Sequence, residues 1–236
     1  MSEAVAGLVS VIMPVFNGER FLRQALDSVV AQDYAPLELI VVDDGSTDAS
    51  AQVAQRCAAA RCLTQPNQGN GAAKNTGLAA ARGEFIAFLD QDDIWLPGKL
   101  SAQVDALRQN PAAGFTAGRM RFFFEPGVSR PDWVPAEFLT EPPPAFLPSG
   151  LLIRRAVFDQ LGNFDPTIPL CNDLDWLARA RDAGVPTVVT PEVMVQRPVH
   201  GGNVSYRAAE RARELARILR ASARRKTLAG AEARRP

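Results

Sequence analysis

Phe85-Ile86-Ala87-Phe88-Leu89-Asp90-Gln91-Asp92-Asp93 decides the fold, because an apolar run of strand length ends abruptly on three carboxylates. A run with no polar alternation predicts a strand buried on both faces, as in a parallel sheet. Ionised carboxylates beside such a core are costly unless a positive partner offsets them, and an oxygen-rich cluster at a strand end suits a divalent cation. The competing reading is a helix N-cap, with Asp92 or Asp93 opening a helix through Trp95 and Lys99 to Leu107.

Upstream of this stretch the pattern alternates. Val9-Ser10-Val11-Ile12-Met13 and Leu37-Glu38-Leu39-Ile40-Val41-Val42 are β-rich runs. Between them, Phe21, Leu22, Ala25, Leu26, Val29 and Val30 recur with helical period. Ser46-Thr47-Asp48 offers capping oxygens for a second helix reaching about Ala60. A strand at Arg61–Thr64, a loop at Pro66-Asn67-Gln68-Gly69 and a helix from Ala72 to Ala81 continue the series. Strand and helix in alternation predict an α/β fold with a mostly parallel central sheet flanked by helices. Ligands of such sheets bind at the carboxyl ends of the strands. Asp43-Asp44 and the cluster at Asp90 both fall at such ends, which favours a cation and nucleotide site over simple capping.

Downstream the signal is less regular. Phe122-Phe123-Phe124 ends a strand, and Pro126 to Pro148 is proline-rich, with Trp133 and Pro142-Pro143-Pro144. A segment of that length in a compact domain reads as a lid or binding loop, or else as a poorly ordered stretch. Helices follow at Arg155–Leu161 and from Asn172 to Ala183. The stretch from Tyr206 to Arg225 reads as a basic helix with Ala212, Leu215, Leu219 and Ala223 near one stripe. That helix can dock on its own domain, meet a partner, or lie on an anionic membrane surface.

The 236 residues carry 26 basic and 26 acidic side chains, a balance that argues against nucleic-acid binding. From Arg207 onward, however, ten basic side chains face three acidic ones. Three cysteines, Cys57, Cys62 and Cys171, without C-x-x-C spacing argue against a disulfide framework or structural zinc and fit a reducing compartment. Without a leader pattern or a membrane-length apolar run, the expected location is cytoplasmic, with peripheral contact at the inner face of the membrane as the alternative.

Four elements, in order, resemble the inverting family 2 nucleotide-sugar glycosyltransferases. They are Val11-Ile12-Met13-Pro14-Val15-Phe16-Asn17; Val42-Asp43-Asp44-Gly45-Ser46-Thr47-Asp48; Asn67-Gln68-Gly69 through Lys74-Asn75 to Asp90-Gln91-Asp92-Asp93; and Asn172-Asp173-Leu174-Asp175-Trp176. The resemblance implies a Rossmann-like nucleotide-diphospho-sugar transferase fold. It spans a single catalytic domain over 1–205, with a nucleotide-binding half to about 110 and an acceptor-binding half from about 111. A basic C-terminal helix and tail over 206–236 follow.

The same resemblance implies roles. Pro14, Phe16, Asp43, Asp44, Lys74, Asp90 and Gln91 would meet the nucleotide sugar. Asp92, with His200 as a second candidate, would hold Mg2+ or Mn2+. Asp173 would be the base that takes the acceptor's proton, with Asp175 in reserve. Asn172 departs from the family's glutamate at that position. The implied partners are a nucleotide diphosphate sugar donor and a glycan, lipid-linked or peptide acceptor. For each residue a plainer reading stands beside this one: Phe16 as a core aromatic, Lys74 as a solvated helix lysine, His200 as a structural histidine, and Asp173 and Asp175 as carboxylates decorating a helix N-terminus. Two other functions compete: a sugar nucleotidyltransferase, against which Pro14-Val15-Phe16-Asn17 stands where a glycine-rich phosphate loop is expected, and a nucleotide-sugar-binding protein without turnover.

Overall fold

A computed structural model describes residues 4–232, and the tail residues 233–236 lie outside the described residues. Eight strands form one mixed sheet. They are β1 (Val5–Val15), β2 (Leu37–Asp43), β3 (Ala60–Thr64), β4 (Gly83–Phe88), β5 (Ile94–Trp95), β6 (Phe115–Phe124), β7 (Leu151–Arg154) and β8 (Thr187–Val199). Their order across the sheet is β3-β2-β1-β4-β7-β6-β8-β5. The first four strands are mutually parallel, while β7 and β5 run antiparallel to their neighbours. The sheet is therefore mostly parallel, as the alternation predicts.

Helices cover both faces. They are α1 (Glu19–Val30), α2 (Ser50–Gln55), α3 (Asn70–Ala80), α4 (Lys99–Gln109), α5 (Arg155–Leu161), α6 (Asn172–Asp182) and α7 (Ala208–Glu232). One core layer joins Val9, Val11 and Met13 of β1 to Leu22, Leu26 and Val29 of α1 and to Leu100 and Val104 of α4. Ile12, Ile40 and Ile86 point the other way, toward α3 and an aromatic group of Phe88, Phe158, Phe164 and Trp176. Side chains on alternate positions of each strand thus fill both layers, which is why β1, β2 and β4 carry almost no polar residues.

Two helices begin or end differently from the sequence reading. The helix expected through Trp95 starts only at Lys99, because Ile94 and Trp95 pair with Gln196 and Val195 of β8. Pro97 disfavours helix for the residue before it, and Gly98, at φ 81°, serves as the N-cap. Asp92 and Asp93 therefore cap nothing. The second helix stops at Gln55, because Ala60 already pairs with Leu39 and the chain needs the intervening residues to turn.

The C-terminal helix docks on its own domain, through a face other than the expected stripe. Ile218 packs with Ile168 and Cys171, Glu214 accepts the N–H groups of Leu170 and Cys171, and Arg225 and Ser222 bind Asp182. Ala212, Leu215, Leu219 and Ala223 lie about 100° round the helix and are exposed. The polar partners at the docked face decide the rotation: two helix-start N–H groups and a nearly buried carboxylate need them more than a narrow alanine stripe needs burial. Among the described residues, no helix is long and apolar enough to cross a membrane.

Candidate active site

A cleft of about 890 Å³ opens along the carboxyl ends of β1, β2 and β4. Volumes of roughly 300–1,000 Å³ are typical of pockets that bury small ligands. Loops after these strands build one wall. Asn17 adopts a left-handed conformation at φ 49°, which its short polar side chain tolerates. There its N–H reaches Ser46 Oγ and its Oδ1 takes the N–H of Thr47, so the loops after β1 and β2 are tied to each other. Asp48 accepts the first N–H groups of both α2 and α1.

Pro14, Phe16, Asp44, Lys74 and Asp90 all line the cleft. Gln91, Asp92, Asp173 and His200 join them. Asp43 does not: it is buried beneath, accepting the Ser46 N–H at 3.2 Å. Asp175 does not either, since it pairs with Arg179 at 2.9 Å and borders a separate surface pocket with Asn163 and Arg217. Two residues apart on a helix means roughly 200°, so Asp173 and Asp175 face opposite ways.

Several plainer readings give way to the geometry. Phe16 is 43% exposed on the cleft wall rather than in the core. Lys74 is buried, donating to Asn172 Oδ1 at 3.1 Å, rather than solvated. That contact gives Asn172 a place: a neutral acceptor fixes the ammonium without cancelling its charge, which remains to face Asp90. Gln91 exchanges two hydrogen bonds with the Phe16 backbone, at 2.9 and 3.1 Å, and so locks the loop after β1 to the acidic loop. Asp44 accepts N–H groups from Gln65, Gln68 and Gly69, which orders the loop entering α3.

His200 sits behind Asp92. Its Nδ1 accepts the Gly202 N–H at 3.1 Å, so Nε2 carries the proton and donates to Asp92 Oδ2 at 3.1 Å. Asn203 Nδ2 reaches the same oxygen at 3.3 Å. Direct metal ligation by Nε2 would require the Gly202 contact to break, so in this arrangement His200 orients Asp92.

Sequence reasoning overlooked two residues that organise the acidic loop. Ser149 accepts the Asp90 N–H at 3.1 Å and donates to Asp93 Oδ2 at 2.6 Å. Arg197, on β8, places Nη1 3.5 Å from Asp93 Oδ2. A lone arginine in the apolar run from Val193 to Val199 was a readable sign of a buried countercharge, whereas nothing in sequence marks Ser149.

Electrostatics follow from this crowding. Burial pushes the Asp93 carboxyl up to about 8; Arg197 pulls it down, and the charges of Asp92 and Asp90 push it further up. Asp90 is raised as well, by burial first, against the pull of Lys74. Burial would raise Asp92 too, but the His200 hydrogen bond and Arg197 together hold it below the usual carboxylate range. Arg197 in turn is raised, the surrounding carboxylates outweighing its burial.

Among the described residues, no three His, Cys, Asp or Glu side chains gather closely enough to hold a metal ion by themselves. Two shielded oxygens, Asp90 Oδ1 and Asp93 Oδ1, nevertheless have no hydrogen-bond partner among the described residues. Oxygens left unpaired among mutually repelling carboxylates fit a hard cation, and such cations commonly take one or two carboxylates plus phosphate oxygens.

The profile of Glycosyl transferase family 2 matches residues 10–163. The chain belongs to this family. The match ends before α6, so the place of Asp173 rests on the geometry alone. An uncharacterized glycosyltransferase of Rickettsia felis is 33% identical over 196 residues, covering 75% of this chain and 32% of that protein. Escherichia coli WfgD, named as a UDP-Glc:alpha-D-GlcNAc-diphosphoundecaprenol beta-1,3-glucosyltransferase, is 41% identical over 106 residues, 44% of this chain and 42% of its own. Both are longer than this chain, which spans less than half of each. Among solved structures, mannosyltransferase PcManGT of Pyrobaculum calidifontis, in complex with GDP-Man and Mn2+, superposes with a TM-score of 0.72 at 24% identity over 92% of this chain and 64% of that one. S. aureus TarS 1-349 with UDP-GlcNAc gives 0.67 at 21% identity over 85% and 61%. At these identities the likeness is one of fold.

Proposed function

We propose that this family 2 chain is the catalytic domain, over 1–205, of a metal-dependent inverting glycosyltransferase, moving a sugar from a nucleotide diphosphate sugar to an acceptor hydroxyl. The observation that carries the reading is the convergence of Asp44, Asp90, Asp92 and Asp173, from two loops and a helix, on one cleft. Cell-envelope glycan, polysaccharide or glycoconjugate synthesis is the setting that the WfgD likeness supports. The stripe that α7 leaves exposed, with arginines around it, is the surface available for peripheral membrane contact.

In this mechanism Phe16 offers an apolar face to the base, and Asp44 borders the nucleoside side of the cleft. Lys74 and Arg197 offset the diphosphate's charge. Asp92 and Asp90 would hold Mg2+ or Mn2+ against the diphosphate, and that cation supplies electrostatic relief of the charge growing on the leaving group. Asp173 takes the proton from the acceptor hydroxyl. The acceptor oxygen bonds to the anomeric carbon as the bond to the diphosphate oxygen breaks, its electron pair leaving with the nucleoside diphosphate. One displacement inverts the anomeric centre.

Thermal stabilisation across a panel of nucleotide sugars, with Mn2+ and with chelator, tests donor binding. Nucleoside diphosphate release and the anomeric configuration of the product then test transfer. Stabilisation without transfer or slow donor hydrolysis would instead support a binding protein. Pyrophosphate release from a nucleoside triphosphate would support a nucleotidyltransferase.

A further inference from the structure

The cleft has a second, aromatic wall. Phe122, Trp133, Phe138 and Phe146 all line it. Phe122 and Phe138 lie parallel, 3° apart at 6.5 Å, while Trp133 meets Phe122 edge-on at 6.1 Å and Tyr206 at 5.7 Å. None of these rings belongs to the nucleotide side. In the sheet order, β4 with its acidic loop stands between β1 and β2, which carry Phe16 and Asp44, and β6, which carries Phe122.

Phe146 stands out because it is 44% exposed yet held on a rigid strap. The proline run before it is fastened to β6: Arg119 donates to Pro142 O, Met120 N–H to Pro143 O, and Ala145 N–H to Gly118 O. Leu147 and Pro148, just after it, are buried. A large apolar ring displayed on a preorganised segment inside a cleft is a feature that solvent does not favour and a ligand does. The Trp133 indole N–H, shielded and without an acceptor, leaves one donor in the wall unpaired among the described residues. The same cleft is also lined by Arg207 and Arg211, which closely follow Tyr206, the residue whose ring meets Trp133. Flat aromatic faces with hydrogen-bonding groups in the same cleft match a pyranose, which has an apolar C–H face and a hydroxyl edge.

We propose that this wall is the acceptor subsite and that its ligand is a sugar residue of a glycan or glycoconjugate, stacked on Phe146 and Trp133, rather than a peptide side chain. The inference rests on the glycosyltransferase reading above and narrows its acceptor. Asp173 lines the same cleft as these rings.

The chain has three tryptophans, and Trp95 and Trp176 are buried at 2% and 1% exposure, so a ligand-induced change in emission reports on Trp133. The probes are methyl glycosides of glucose, mannose, galactose and N-acetylglucosamine, and a Ser/Thr-rich peptide, each added with Mn2+ and UDP or GDP. Saturation-transfer NMR reads which protons touch the protein. At least one glycoside should shift the emission and receive saturation at its C–H face. Phe146→Ala should weaken that binding by about tenfold while nucleoside diphosphate binding stays within about twofold. Trp133→Leu, followed by NMR alone, should weaken it too. Normal nucleotide binding with no glycoside contact, an unchanged affinity in Phe146→Ala, or a stronger response to the peptide overturns the aromatic subsite alone. Failure of the wild-type chain to bind UDP, GDP or any nucleotide sugar overturns the parent reading and this one with it.

Discussion

Arg197 and Asp93 stand 3.5 Å apart although 104 residues separate them in the chain, so the last strand of the sheet supplies the countercharge for the loop that ends its fourth. The guanidinium faces Asp93 first and also the charges of Asp92, Asp90 and Asp173. Arg197→Met keeps most of the volume and removes the charge. A fully buried pair broken on one side loses roughly 3–5 kcal/mol. Here the arginine side chain keeps 18% of its surface, so a loss of about 1–3 kcal/mol is expected. Urea unfolding of the purified variant at pH 9, above the value of about 8 to which burial pushes Asp93, measures it, and an unchanged midpoint there would show that solvent alone compensates these carboxylates.

In the proposed mechanism Asp92 binds the cation and His200 only positions Asp92, so variants at the two should differ. Asp92→Ala should abolish Mn2+-dependent stabilisation by the donor, and transfer with it, while the thermal midpoint of the unliganded chain moves little. His200→Ala leaves the carboxylate in place and removes one of its two side-chain donors. A loss of about 10- to 100-fold in metal affinity is expected, the range for partners that orient a ligand. Equal and complete loss in both variants, read by Mn2+ titration in the presence of the donor, would make the histidine a ligand instead.

How much of this was readable beforehand varies with the distance over which each signal acts. The strand at Phe85 and the acidic ends of β2 and β4 were legible because burial on two faces excludes polar residues over a contiguous run. Lys74 and Phe16 were ambiguous, because their environments are set by partners far along the chain: Asn172 lies 98 residues from Lys74, and Gln91 lies 75 from Phe16. Ser149 carries no local mark at all. Its role exists only because the turn before β7 passes beneath the acidic loop. The rotation of α7 is illegible in the sequence for a related reason: its apolar stripe is a local pattern, whereas Glu214 and Arg225 answer to groups on another helix.

Lys99 gives the fold a pH dependence of known sign. Its amine is wholly buried, lies 4.1 Å from the Trp95 ring centre, and donates to Gln103 Oε1 and Leu151 O. Burial holds it well below its ordinary value of 10.5. The folded state therefore binds fewer protons than the unfolded chain below 10.5, and stability should rise with pH across that window and level off above it. Lys99→Met keeps the stem and removes the titration. Its unfolding free energy between pH 7 and 9.5 should climb less steeply than that of the wild type; parallel profiles would mean the amine stays charged in the core.

Asp173 and Asp175 share the first turn of α6, yet only Asp173 reaches the cleft. Asp175 binds Arg179, whose guanidinium also holds the carbonyls of Leu161 and Asn163. The two asparagine variants should therefore fail in different ways. Asp173→Asn keeps shape and hydrogen-bonding capacity but cannot accept the proton, so transfer should fall by about 10²- to 10⁴-fold with donor affinity unchanged. Asp175→Asn should leave transfer near wild type and lower stability by about 1 kcal/mol through the weakened Arg179 contact. Single-turnover transfer and donor titration on both proteins decide the matter. If Asp175→Asn were the variant that stopped transfer while still binding donor and remaining folded, the base would have to be sought on the other face of the helix.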